Sequence, residues 1–121
     1  PISMPQYAFT HHARLPTVET VHPAKWLIVE GIHAFHSPLL CTKARLKIFV
    51  AAGFQTCLNR RLKRDTGNRG RTAAEVQDRF TRHVWPVAEA CVSPKRVLAD
   101  MVVQGTEPQE DNVRLIIERL N

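Results

Sequence analysis

The chain has 121 residues, enough for one compact domain with one core. Its 44% hydrophobic and 23% charged residues are typical of a globular protein, and no apolar run approaches the roughly 20 residues that a membrane span needs. The net charge of +6 at pH 7 favours anionic partners such as nucleic acid, nucleotides or sugar phosphates.

The cysteines indicate a cellular location for this chain, and the first residue indicates a fragment. Cys41, Cys57 and Cys91 are odd in number, lie far apart and form no Cys-x-x-Cys pair, which argues against a disulfide framework and against a zinc site. A reducing cytoplasm is therefore the predicted location. The chain begins with Pro1 rather than Met, and we expect it to be a fragment of a longer protein.

The first third of the sequence predicts extended structure. Residues 2–9 and 17–21 are expected to form a hairpin-like flap, because residues 17–21 alternate in polarity. Residues 26–29 form a continuous apolar run that ends at Glu30, which predicts a strand buried on both faces of a parallel sheet. A short helix or turn is expected at residues 37–42.

The middle of the sequence alternates between predicted strand and predicted helix. Residues 46–50 predict a second strand, and a helix with one apolar face follows at residues 54–65. Gly67 and Gly70 are expected to break that helix. A long helix is predicted at residues 73–91, kinked at Pro86, with its apolar side formed by Val76, Phe80, Val84, Val87 and Cys91.

The end of the chain predicts one more strand and one more helix. Residues 98–103 are expected to form the third strand, and Asp111 or Asn112 to cap the final helix. Alternating strands and helices predict an α/β fold with a parallel sheet, in which ligands bind beyond the carboxyl ends of the strands. Glu30 occupies that position in the predicted sheet.

Residues 60–71 carry the densest charge in the sequence. This segment holds five arginines and one lysine in twelve residues and ends in Arg-Gly-Arg. A guanidinium group is always charged and offers a planar fork of donors that suits phosphate oxygens. A solvated helix end or a nucleic-acid patch would have a similar composition. Because no aromatic residue lies between Cys57 and Arg79, nucleic acid is disfavoured against a small phosphorylated ligand.

Several short patterns together resemble one family. They are the segment Pro5-x-Tyr-Ala-Phe-x-x-His-x-Arg14, the strand end Ile28-Val-Glu-Gly-Ile32, and the Arg-Arg-x-x-Arg-Asp-x-x-x-Arg-Gly-Arg pattern of residues 60–71. In this order they resemble the C-terminal part of the uridine kinase (uridine–cytidine kinase) family of P-loop kinases. The resemblance covers nearly the whole chain. It implies a partial P-loop kinase fold: a parallel sheet flanked by helices, an N-terminal β flap, and a helical lid at about residues 60–92 of a single domain.

The resemblance also implies a role for individual residues. Substrate-binding residues would be Tyr7, Phe9 and His12, which match the nucleoside pocket, and Arg61. Glu30 would lie near a magnesium ion. The catalytic residues would be Arg64, Arg69 and Arg71, with Arg69 and Arg71 in a lid that closes over the triphosphate. ATP and Mg2+ would be the cofactors, and a nucleoside or a similar small hydroxyl compound the substrate.

The sequence departs from the family in ways that keep three functions open. It contains no Gly-x-x-x-x-Gly-Lys-Ser/Thr loop, and Ala8 stands where the family usually has Asp. The first hypothesis is an ATP-dependent nucleoside kinase of pyrimidine salvage, of which this segment forms a part. Such a kinase could act as a homo-oligomer. The second is a nucleotide-binding homologue without catalysis, and the third is a basic nucleic-acid-binding module.

Overall fold

The computed structural model describes residues 1–8 and 10–121. The chain divides into two compact units, Pro1–Glu30 and Gly31–Asn121. None of the helices in the described residues is both long and apolar enough to cross a membrane.

The first unit is built around an antiparallel hairpin. Strand β1 (Ile2–Ala8) pairs with strand β2 (Ala13–Val21), from Ile2 opposite Val21 to Ala8 opposite Ala13. The register shifts between Pro5 and Tyr7, where proline has no N–H to contribute to the ladder. The two predicted extended segments therefore do pair, although β2 begins at Ala13 rather than at residue 17. A covering role as a flap stays a prediction.

The predicted buried strand at residues 26–29 is wrong. The segment has no regular secondary structure, and its side chains are largely exposed, 75% for Leu27 and 89% for Ile28. A strand in a parallel sheet takes its backbone hydrogen bonds from neighbouring strands. Within residues 1–8 and 10–121, the two sheets contain only β1 with β2 and one further pair, so residues 26–29 have no neighbouring strand.

The second unit contains a parallel pair of strands. Strand β3 (Ile48–Ala51) pairs with strand β4 (Met101–Gln104), with Ile48 opposite Met101 and Ala51 opposite Gln104. A parallel pair needs a long crossover, and here the crossover is helical. The helices in chain order are α1 (Pro38–Lys43), α2 (Phe54–Asn68), α3 (Ala73–Arg79), α4 (Trp85–Cys91) and α5 (Gln109–Leu120). The predicted mixture of strands and helices is confirmed.

A small apolar core takes its buried side chains from α2, α3, the residue after α3, and β4. Its buried side chains are Leu58, Val76, Phe80 and Val103. The ring of Phe54 lies 5.3 Å from that of Phe80 and 5.3 Å from that of Trp85, in tilted and edge-on contacts that aromatic rings prefer. Val87 and Cys91 were predicted on the same apolar side, but both are exposed.

The helical crossover differs from its prediction at two places. Gly67 does not end α2, which continues to Asn68, and the left-handed residue after the helix is Gly70, with φ +62°. The predicted helix at residues 73–91 is interrupted by a π-helical segment, Phe80–Val84, directly before α4. Pro86 lies at the start of α4, directly after the π segment, and its missing N–H removes one hydrogen bond from this continuous helical run. The wider π turn is therefore the form that the predicted kink takes.

The last strand and helix are joined by side-chain contacts. A 3-10 segment, Ser93–Leu98, occupies the start of the predicted third strand, so β4 begins at Met101. The predicted cap of α5 is also wrong, because the residue at the N-cap is Pro108. Asn112 instead donates its side-chain N–H to the Gln104 carbonyl at 2.9 Å, which ties α5 to the end of β4.

Candidate functional site

The basic residues 60–71 lie across the end of α2 and the turn into α3. The turn is closed by Gly70 in the left-handed conformation, which glycine adopts without a steric cost. Helix α3 then begins with a capping box: the Thr72 hydroxyl accepts from the Glu75 N–H at 3.3 Å, and the Glu75 carboxylate accepts from the Thr72 N–H at 3.1 Å. The turn is thus fixed at its far end by two hydrogen bonds from backbone N–H groups to side chains.

Asp65 is the centre of this basic segment. Of all the charged residues that the structure describes, Asp65 is the one that is buried, with 2% of its surface exposed. Its Oδ1 lies 2.8 Å from Arg64 Nε and 3.4 Å from Arg69 Nη1, and its Oδ2 lies 3.3 Å from Arg61 Nε. The three contacts bring together arginines from two turns of α2 and from the residue directly after it. We call Asp65 with Arg61, Arg64 and Arg69 the Asp65 cluster.

The Asp65 cluster carries more positive charge than its carboxylate neutralises. The hydrogen bond from Arg64 is the largest influence on Asp65 and, with the charges of the three arginines, lowers the pKa of its carboxyl despite burial. The pKa of Arg61 is lowered too, first by burial, against the pull of Asp65, and also by the charges of Arg64, Arg79 and Arg69. The guanidinium groups therefore repel one another around a single anion.

The Asp65 cluster presents its positive charge to solvent. About half of the Arg64 side chain and a third of the Arg69 side chain are exposed, while Asp65 lies beneath them. A surface with several guanidinium groups and a local excess of positive charge has the chemistry to bind an anion, since phosphate oxygens can accept from several forks at once. Charge and geometry thus both suit a polyphosphate.

Arg71 is joined to the cluster through its backbone. Its N–H donates to the Asp65 carbonyl at 3.2 Å across the Gly70 turn. Its side chain is partly buried and close enough to Glu75 to help lower the pKa of that carboxyl, an effect smaller than that of the hydrogen bonds from Thr72. Of the four arginines predicted to be catalytic or substrate-binding, three therefore meet at Asp65 and the fourth is placed by its backbone.

In the first unit, Tyr7 lies in β1 opposite Arg14 and is half exposed. His12 is exposed in the turn of the hairpin, and its φ of +48° is in the left-handed region. Histidine is one of the few residues other than glycine found there with any frequency. Phe9, the third predicted pocket residue, lies outside the described residues.

Glu30 is exposed at the end of the first unit. Across residues 1–8 and 10–121, no three His, Cys, Asp or Glu side chains lie close enough to hold a metal ion on their own. Magnesium bound to a nucleotide needs only one or two carboxylates, because phosphates and waters supply its other ligands. A single exposed carboxylate such as Glu30 fits that kind of site.

Sequence reasoning selected the arginines but missed Asp65. The signal was present: Asp65 is the one acidic residue among residues 60–71. An acidic residue in a helix is well placed to pair with basic neighbours three or four positions away, as Asp65 does with Arg61. What the sequence does not give is its burial, which depends on how α2 packs against α3.

Comparisons with known proteins agree with the family resemblance of the sequence. The family model described as "Phosphoribulokinase / Uridine kinase family" matches residues 1–112. A uridine kinase of Deinococcus deserti is 37% identical over 120 residues, which cover 99% of this chain and 58% of the relative. A uridine kinase of Klebsiella pneumoniae subsp. pneumoniae is 37% identical over 109 residues, 85% of this chain and 48% of the relative.

A more distant match comes from a plant. "Uridine kinase-like protein 5" of Arabidopsis thaliana is 28% identical over 120 residues, 99% of this chain and 26% of the relative. The chain thus spans about half the length of the two bacterial relatives. Since the family description matches residues 1–112, this chain belongs to the phosphoribulokinase/uridine kinase family.

Proposed function

We propose that the intact protein transfers the γ-phosphoryl group of ATP to a hydroxyl of a uridine- or cytidine-like nucleoside. The observation that carries this proposal is the Asp65 cluster, an exposed excess of guanidinium charge in a chain that belongs to this family. The relatives named uridine kinase support the nucleoside as substrate. The same family relationship supports a role in pyrimidine salvage in the cytoplasm, and a homo-oligomeric state is compatible with it.

In this proposal the arginines bind and orient the triphosphate. Arg64, Arg69 and Arg71 act as the catalytic residues, because charge spreads over the phosphoryl oxygens during transfer and guanidinium donors held in place stabilise it. Arg61, more buried than Arg64, contributes to substrate binding through its charge. A closing lid at residues 60–92 would exclude water and strengthen each of these contacts.

The remaining predicted residues serve the nucleoside and the metal. Tyr7 and Phe9 would contact the base through their rings, and His12 would donate or accept a hydrogen bond. Glu30 would hold magnesium, directly or through water. When bound, ATP with Mg2+ supplies the phosphoryl group and partly neutralises its charge.

Steady-state kinetics of single variants of the full-length protein test this function. Arg64→Ala, Arg69→Ala or Arg71→Ala should each lower kcat roughly 10²- to 10³-fold, with a smaller change in the KM for uridine. Replacement by Lys should restore activity only in part, because a point charge lacks the bidentate fork. The exposed Arg119 of α5 is the control, and kinetics of all three variants equal to those of Arg119→Ala would refute the phosphate role.

The alternatives give different results with the same protein. A non-catalytic nucleotide-binding homologue would bind ATP or uridine in calorimetry while releasing no ADP in a coupled assay. A nucleic-acid-binding module would bind RNA with an affinity that falls steeply as salt increases.

The 121-residue chain, which has no Walker A loop in its sequence, is expected to show no turnover by itself.

A further inference from the structure

The contacts of Asp65 exceed what neutralising a buried carboxylate requires. One arginine can satisfy a carboxylate with two parallel hydrogen bonds. Asp65 instead contacts three arginines, two of them through Nε, and its carbonyl accepts from the backbone of a fourth, Arg71. A guanidinium held at Nε still carries two terminal amino groups that can donate to a ligand.

Without a central anion these arginines would not stay together. Arg61, Arg64 and Arg69 lie close enough for their charges to act on one another, and Arg79 of α3 adds a further positive charge. Each long side chain also has rotamer freedom that it loses when it is fixed. A buried carboxylate in contact with three of them offsets the repulsion and limits that freedom before any ligand arrives.

We propose that Asp65 is a positioning residue, which holds Arg61, Arg64 and Arg69 in a preformed arrangement for a polyphosphate without contacting the ligand itself. This inference rests on the proposed phosphate role of the arginines but not on the identity of the nucleoside. Preorganised donors bind and stabilise developing charge better than mobile ones because they need no rearrangement at the moment of reaction.

The Asp65→Asn variant of the full-length protein tests the proposal by the sign of its effect. The change removes one negative charge, so an action through net charge alone would tighten the binding of inorganic tripolyphosphate. Loss of positioning would weaken it, and we expect about tenfold weaker binding in calorimetry, together with a lower kcat and a KM for uridine changed less than about threefold. Unchanged or tighter tripolyphosphate binding would overturn the proposal.

Asp78→Asn is the matched control. Asp78 also lies in a helix and pairs with an arginine four residues later, Arg82, at 2.7 Å, but both side chains are mostly exposed. The substitution removes the same charge from an ion pair outside the cluster. We expect tripolyphosphate binding and kinetics close to those of the unmodified protein. A loss equal to that of Asp65→Asn would show that breaking an exposed helical Asp–Arg pair weakens binding as much, and would contradict positioning by Asp65.

A double-mutant cycle separates positioning from simple destabilisation. If Asp65 acts through Arg64, Asp65→Asn should weaken tripolyphosphate binding much less in an Arg64→Ala background than in the unmodified protein. Equal losses in both backgrounds would refute the proposal. If Asp65→Asn does not fold, Asp65→Glu keeps the charge and displaces it by one methylene, and affinity equal to that of the unmodified protein would refute positioning.

The same measurements distinguish this proposal from the proposed function. Tripolyphosphate binding that depends on Asp65 in a protein that phosphorylates no nucleoside would support positioning and refute the nucleoside kinase. Nucleoside phosphorylation that is insensitive to Asp65→Asn would do the reverse.

Discussion

At the scale of single residues, His12 combines a predicted ligand contact with an unusual backbone conformation. Its φ of +48° means that an ordinary substitution alters both the side chain and the turn. His12→Gly removes the imidazole and leaves the left-handed conformation free of steric cost, whereas His12→Ala removes the imidazole and keeps the Cβ whose steric cost the histidine already bears.

We therefore expect His12→Gly to raise the KM for uridine of the full-length protein about tenfold, with thermal stability equal to or above that of the unmodified protein. His12→Ala should raise the KM similarly, with a Tm below that of His12→Gly. A normal KM in His12→Gly would remove His12 from the pocket and leave it a turn residue.

Asp65 gives a prediction about pH and stability. Its pKa in the folded protein is lowered, first by the hydrogen bond from Arg64, while the unfolded value is about 3.9. A group with a lowered folded pKa stabilises the fold above its unfolded pKa, and this contribution is lost as pH falls through the folded pKa. The groups that face it are Arg61, Arg64 and Arg69, with Arg79 adding charge from α3.

Urea unfolding of the unmodified protein and of Asp65→Asn should consequently differ by about 1–3 kcal/mol at pH 7. The difference should persist down to about pH 4 and shrink below it. Asp78→Asn, whose carboxylate is exposed, should cost little at any pH. A difference for Asp65→Asn that does not change between pH 7 and pH 3 would show that charge is not what stabilises this site.

At the scale of elements, two glycines three residues apart predict opposite effects of one substitution. Gly67 lies inside α2, with space around it for a Cβ, so Gly67→Ala should stabilise the protein by about 0.5–1 kcal/mol. Gly70 also has space, but its φ of +62° penalises any Cβ, so Gly70→Ala should destabilise it by about 1–2 kcal/mol. Thermal unfolding checks both, and shifts of the same sign would contradict the assigned end of α2.

These elements also show what the sequence could predict. Apolar periodicity located α2, α3 and the final helix, and the apolar runs at β3 and β4 identified the parallel pair. Propensity alone predicted that Gly67 would end the helix, but one glycine costs only about 1 kcal/mol, and the burial of Leu58 in the same helix outweighs that cost. The strand predicted at residues 26–29 is wrong because a buried strand requires neighbouring strands, and the sequence of the segment itself does not encode them.

At the scale of the whole molecule, the two units differ in how they are stabilised. In Pro1–Glu30 the strands form a two-stranded sheet whose side chains are almost all exposed, and a two-stranded hairpin is marginal in water. In Gly31–Asn121, α2 contacts α3, the rings of Phe54 and Phe80 lie together, and α2, α3 and the π segment all contain buried apolar side chains. Local stability should therefore be uneven along the chain.

Hydrogen exchange measured by mass spectrometry tests this difference. Amides of β1 and β2 should exchange fast, and those of residues 57–65 in α2 should exchange slowly. Uridine should slow exchange in β1 and β2 if the proposed pocket residues bind it, and should leave α5 unchanged. Equal protection of the hairpin and α2 in the free protein would contradict the division in stability.

The π-helical segment Phe80–Val84 bears on how this part of the chain tolerates changes in length. A π turn holds about one residue more than an α turn, so a single deletion within it can be absorbed as regular α-helix. Because the narrower turn completes the same rotation with one residue fewer, Trp85 would still face Phe54 and keep the aromatic contact between α2 and α4. A deletion inside α2 has no such reserve, since each residue removed from a regular α-helix rotates the rest by about 100°. Natural variation in length is therefore expected at the π segment rather than within α2.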